Sequence, residues 1–114
     1  MEATVGESAY ANYEPDANTV GLWHLEEDSD YCDSGESGCV KDSSGNGNDG
    51  TPSGGPVTVQ GKVGKGWEFD GSDDYVNLGD DSSLQPDTLT VSAWFKTDKD
   101  YSAAGFIIRK RAYG

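Results

Sequence analysis

A chain of 114 residues has room for one small domain, and its 21 acids against eight bases leave a formal charge of −13. That charge repels nucleic-acid backbones and anionic membranes, leaving cations, neutral ligands and basic partners. Leu, Ile, Val and Phe number only 18, which by composition alone resembles a disordered chain, but they fall in short alternating runs separated by Gly/Ser/Asp clusters. An acidic, lysine-poor surface fits ordinary solubility and equally a very salty environment, where screening removes most self-repulsion.

In chain order, residues 1–18 are polar and aperiodic and read as a leader or linker. The run "TVGLWHL" (19–25) alternates Val20, Leu22 and His24 against Gly21, Trp23 and Leu25, which predicts the first strand. Residues 26–55 are mostly Asp, Ser, Gly and Asn, an irregular excursion over the surface. Strands follow at 56–60 ("PVTVQ"), 64–71 ("GKGWEFDG") and 74–79 ("DYVNLG"), the last two read as a hairpin across "GSD" with Trp67 and Phe69 on one face. "TLTVSAWFKT" (88–97) places Leu89, Val91, Ala93 and Phe95 inward, and "GFIIRKR" (105–111) predicts a final strand.

No segment carries a sustained 3.6-residue period, so the class expected is all-β, an antiparallel sandwich or jelly roll. No apolar run approaches the roughly 18 residues that a membrane helix needs, and the N-terminus lacks a signal-peptide pattern. Membrane insertion is therefore not expected.

Cys32 and Cys39 bracket the hydrophilic stretch "DSGESG", a spacing a disulfide can close and one that favours a location outside the reducing cytosol. Two free thiols on a surface loop are the alternative. A zinc site has little basis, because His24 is the only histidine and no second Cys pair exists.

The loop "KDSSGNGNDG" (41–50) concentrates hard oxygen ligands: Asp42, Asn46, Asn48 and Asp49, with backbone carbonyls at Gly45 and Gly47. That set suits Ca²⁺, with Glu26 or Glu27 as a further ligand, but the same side chains also make Asx turns that bind no metal. The spacing does not align with an EF-hand, and the loop lacks the Lys-Ser/Thr and following helix of a phosphate cradle. Asp73, Asp74, Asp80 and Asp81 occur as adjacent pairs that would point in different directions on an extended chain, so solvated turns are expected there.

The order "GLWHLEED", "DSSGNGNDGT", "GKVGKGWEFDGSDDYVNLGDDSSL", "LTVSAWFKTD" resembles the opening strands and loops of a laminin-G-like domain of the concanavalin A-like lectin/glucanase jelly-roll class. The likeness runs from about Thr19 to the C-terminus, so residues 19–114 are expected to be the N-terminal portion of such a domain. The Cys32–Cys39 loop departs from it as a local insertion. The family's domains are longer, so the sandwich is expected to be incomplete, with open sheet edges through which the chain could associate with itself or a neighbour.

The resemblance implies one calcium on the sandwich rim, with the 41–50 loop as the best local match. It also implies a non-catalytic extracellular or cell-surface module binding carbohydrate or a protein partner. The alternative is a structural surface subunit whose incomplete sandwich a neighbouring chain completes. Glucanases of this fold carry acids at E-x-D-x-x-E spacing, whereas "EEDSDY" places Tyr31 where the second glutamate belongs. No catalytic residues are expected, and His24 has no nucleophile elbow near it. Tyr31, Tyr101 and Tyr113 are the aromatic candidates for a sugar platform.

Overall fold

The computed structural model of the chain describes residues 14–33, 35–61, 64–97 and 107–110. Four short strands make the regular structure: β1 (Thr51–Ser53), β2 (Val57–Gln60), β3 (Lys65–Glu68) and β4 (Tyr75–Asn77). Two 3₁₀ turns, Ser29–Tyr31 and Ser82–Leu84, are N-capped by the side chains of Asp28 and Asp81. No α-helix occurs among the described residues, and none of their helices is long and apolar enough to cross a membrane. The architecture is all-β.

The ladders are nested. The β2–β3 hairpin is antiparallel in the register Val57↔Glu68 to Gln60↔Lys65, and the Gly61 amide closes its turn on the Gly64 carbonyl at 2.9 Å. Flanking strands β1 and β4 pair antiparallel through Thr51↔Asn77, Pro52↔Val76 and Ser53↔Tyr75. The expected hairpin between β3 and β4 is therefore corrected: each pairs with an earlier strand. The cause is local, since residues 70–74 fold into a turn held by side-chain carboxylates, with the Asp70 amide on Asp74 Oδ2 at 2.9 Å and the Ser72 amide on Asp70 Oδ1 at 2.8 Å. That turn carries the chain from one ladder to the other.

The core is small and centred on Val40, Pro52 and Trp67. Val40 exchanges both backbone hydrogen bonds with Gly50, at 3.1 and 2.7 Å. A Cβ on Gly50 would stand 2.6 Å from Val76 Cγ1 and 3.2 Å from Val40 Cβ, so the glycine is what lets β4 close on Val40. Trp67 is cross-strand from Thr58, and its indole N–H donates to the Glu27 carbonyl at 2.8 Å, which ties the irregular 26–29 segment to the sheet. The Ser29 and Thr58 hydroxyls and amides complete that seam.

Three predicted strands form no ladder among the described residues. Residues 19–25 contribute a single bridge, Trp23↔Asp42, because the Leu22 amide is taken by the Asp42 carboxylate and Leu25 leaves the extended region at φ 57°. Residues 88–97 lie outside any strand, with Trp94 79% and Phe95 63% exposed. Of the predicted strand at 105–111 only Ile107–Lys110 falls within the described residues, and it too is irregular. Most of the expected leader, residues 1–13, and Tyr101 and Tyr113 lie outside the described residues.

Candidate functional site

Asp42 is the hub of the 41–50 loop. The bridge to Trp23 and the turn at Gly45 and Gly47, both at positive φ, bring its buried carboxylate under three backbone amides. Oδ1 accepts from Leu22 and Ser44, and Oδ2 from Asn48, each at 2.9 Å. Burial by itself would raise the Asp42 carboxyl, but the Ser44 hydroxyl and amide and the Leu22 and Asn48 amides outweigh it and hold the group below the ordinary carboxylate range. Asp49 supports the same turn, accepting from the Asp42 amide at 2.9 Å and from Lys41 Nζ at 3.1 Å. Those two donors lower its carboxyl.

The two asparagines bind the loop to its surroundings. Asn48 is buried, donating from Nδ2 to the Val20 carbonyl and the Ser83 hydroxyl at 2.9 Å each, while its backbone carbonyl accepts the Trp23 indole N–H at 2.8 Å. Asn46 donates to the Thr19 carbonyl at 2.9 Å. Asp42 is hydrogen-bonded to both Asn48 and Asp49, with Asn46 tied in through Ser44 and Thr19, in an Asx-type network that fastens residues 19–22 and the 82–84 turn to the core. Glu26 does not join it: its carboxylate stands against Gly64 in the β2–β3 turn. Glu27 is the acid that reaches the loop, accepting from the Lys41 amide at 3.3 Å.

Cys32 and Cys39 form the disulfide that their spacing suggests, with Cα atoms 6.0 Å apart. The loop they close also leans on β1, the Gly35 amide donating to the Pro52 carbonyl.

A second set of oxygens lies where solvated, divergent acids are expected from the sequence. Asp70, Asp73 and Asp74 each present a carboxylate oxygen within 4.8 Å of the others, in the turn between β3 and β4. Alternation along an extended chain does not apply there, because Gly71 at φ 79° reverses the backbone. Asp70 Oδ1 gathers the Ser72, Asp73 and Asp74 amides at 2.8, 3.2 and 3.4 Å, which hold its carboxyl low. The hydrogen bond to Asp70, followed by the Asp70 charge, burial and the Asp74 charge, raises the Asp73 carboxyl. Asp74 Oδ1 is buried beside Gly54 without a hydrogen-bond partner. Chemically, three acids so placed can share a proton or hold a cation. The retrievable signal was the D-x-x-D-D spacing across a glycine, which returns both ends of a turn to one side.

The raised Asp73 value has a direct consequence. A carboxyl whose folded-state value lies above its unfolded value adds stability at low pH and loses it as pH rises through the folded value. Asp73→Asn is therefore expected to raise the melting temperature at neutral pH in the presence of a chelator. The advantage should disappear on acidification toward the ordinary value of 3.8, as followed by circular dichroism melts across a pH series.

No protein-family model, curated protein or solved structure matches the chain. The functional reading accordingly rests on residues and geometry.

Proposed function

We propose that the chain is a non-catalytic extracellular recognition module of the laminin-G-like jelly-roll kind, carrying a structural calcium on an exposed rim and binding carbohydrate or a protein partner. The observation that carries the cation is the Asp70–Asp73–Asp74 cluster, three carboxylates within 4.8 Å whose mutual repulsion a divalent ion would relieve. The 41–50 loop is the less favoured position, because Asp42 already accepts three amides and Asn48 directs its amide to Val20 and Ser83. Its role in this reading is to hold the rim rigid.

The Cys32–Cys39 bond is compatible with an extracellular setting. Tyr31, 84% exposed beside that staple, is the aromatic surface best placed to meet a ligand. Completion of the sandwich by further strands belongs to this same reading.

Calorimetric titration with Ca²⁺ tests it. Binding is expected, with a stabilisation of about 2.7 kcal/mol when the free ion reaches 100 times its dissociation constant. Asp70→Asn/Asp73→Asn should abolish the heat and Asp49→Asn should leave it. The reverse pattern would move the ion to the 41–50 loop, and absence of heat at millimolar Ca²⁺ would reduce both loops to hydrogen-bonded turns.

A further inference from the structure

The sequence holds five asparagines, followed by Tyr13, Thr19, Gly47, Asp49 and Leu78, so Asn46 alone precedes a glycine. That pairing matters because an asparagine side chain and the next backbone nitrogen can react with each other. The nitrogen, losing its proton, bonds to Cγ; the Cγ–Nδ2 bond breaks and ammonia leaves with that proton. Water then adds to either carbonyl of the resulting succinimide, giving aspartate or isoaspartate. A side chain on the following residue hinders the approach, and glycine has none. The fold leaves both reacting groups accessible. Asn46 and Gly47 are exposed, and no atom beyond its chain neighbours lies within 4 Å of where a Cβ on Gly47 would stand. Among the described residues nothing accepts a hydrogen bond from the Gly47 amide.

Two aspartates also precede glycines, and the fold guards each from the same chemistry. Gly50 is buried and its amide is bound to the Val40 carbonyl at 2.7 Å, so it is not free to turn on Asp49. Asp70 accepts the Ser72 amide and, beyond it, the Asp73 and Asp74 amides, which keep its carboxyl ionised and a poor electrophile. Asn48, on the same loop as Asn46, is buried with Nδ2 held by Val20 and Ser83. Reactivity is thus confined to one position.

Asn46 is also a tether. Residues 16–19 close a turn on themselves, with the Thr19 amide on the Asp16 carbonyl at 3.1 Å and the Asn18 amide on Asp16 Oδ1 at 2.8 Å. Among the described residues, the only hydrogen bond from residues 14–19 to the rest of the chain is the one the Thr19 carbonyl accepts from Asn46 Nδ2, at 2.9 Å. A carboxylate has no hydrogen to donate in its place, and its oxygen would repel the carbonyl. We propose that Asn46 is a site of spontaneous deamidation and that its conversion unlatches the 16–19 turn from the 41–50 loop. The change is slow, runs one way and adds a negative charge to the loop. It stops at Thr19, because Asn48 holds the Val20 carbonyl and Asp42 the Leu22 amide independently of Asn46. This goes beyond the recognition reading and does not rest on calcium.

Peptide mass spectrometry on the intact chain, held for days at mildly alkaline pH, tests the first half of the proposal. Asn46 is expected to acquire the mass of an NH₂-to-OH exchange at a rate approaching that of the urea-unfolded chain, faster as pH rises, while Asn48 stays intact. The second half is read by NMR relaxation on Asn46→Asp, an exposed substitution whose folding an unchanged circular dichroism spectrum establishes. Backbone order parameters at 16–19 should fall from the roughly 0.85 of a rigid backbone to below about 0.6, with exchange protection of the Leu22 amide retained. An Asn46 that persists while the urea-unfolded chain converts fully, conversion of Asn48 in its place, or unchanged order at 16–19 in Asn46→Asp would each overturn the proposal. A chelator present throughout keeps these readings separate from the calcium titration.

Discussion

Asp42→Ala is expected to cost about 3–5 kcal/mol, enough to unfold much of a small domain's population at room temperature. The substitution removes the acceptor for the Leu22, Ser44 and Asn48 amides, and a buried amide left without a partner costs about 1–3 kcal/mol. Water can reach some of these groups once the loop loosens, which keeps the total below the simple sum. Asp42→Asn retains one oxygen and should lose roughly half as much. Urea titration followed by circular dichroism measures both, and the midpoint should fall with little change in slope. An unchanged midpoint for Asp42→Ala would mean that the 19–22 segment is held by something other than this carboxylate.

The same residue dictates part of the acid response. Its folded-state value lies below its unfolded one, so between the two the unfolded chain binds the extra proton and stability rises with pH. The contribution is complete above the ordinary value of 3.8 and is lost as pH falls through the depressed folded value. Asp73 has the opposite sign, and an acid titration of Asp42→Asn should therefore be flatter than that of wild type, while that of Asp73→Asn should be steeper.

The positions of β2, β3 and β4 were legible in the sequence because Val57, Val59, Trp67 and Val76 lie in short runs bounded by glycine and aspartate. Their partners were not. Alternation assigns a face to each side chain but carries no label for the neighbouring strand, and the choice was made by the carboxylate-bound turn at 70–74. Residues 19–25 show the same limit from the other side. Their pattern suits a strand, yet a side chain twenty residues away takes the Leu22 amide and leaves a single bridge where a ladder was expected.

At the candidate sites, residue chemistry was legible and direction was not. Asp42 engages both Asn48 and Asp49 while Asn46 bonds Ser44 and Thr19, and which donors these oxygens face depends on a loop whose course glycines at positive φ decide. The inward face expected for 88–97 reappears as Val91, Ala93 and Phe95 in one groove, so the pattern identified a face without identifying what covers it. Asp70, Asp73 and Asp74 were missed because an extended backbone was assumed across Gly71.

Trp67→Ala should be the most damaging core change. The indole is 8% exposed in a core whose only other buried hydrophobic side chains among the described residues are Val40 and the two prolines Pro52 and Pro56, so there is little around it that can collapse into the space. Truncation of a buried tryptophan typically costs about 3–5 kcal/mol, and the Glu27 carbonyl also loses its donor. Trp67→Phe shifts the balance between the two effects: it keeps most of the apolar volume and removes the N–H with one part of the bicyclic ring, for an expected loss of about 1–3 kcal/mol. Amide hydrogen exchange of β2 gives the decisive reading, since Thr58 is paired with Trp67 across the hairpin and with Ser29 at its edge. In Trp67→Phe protection of the β2–β3 ladder should persist while the 26–31 segment loosens, because the indole N–H is the direct bond from β3 to that segment; equal loss in both would place the anchor elsewhere.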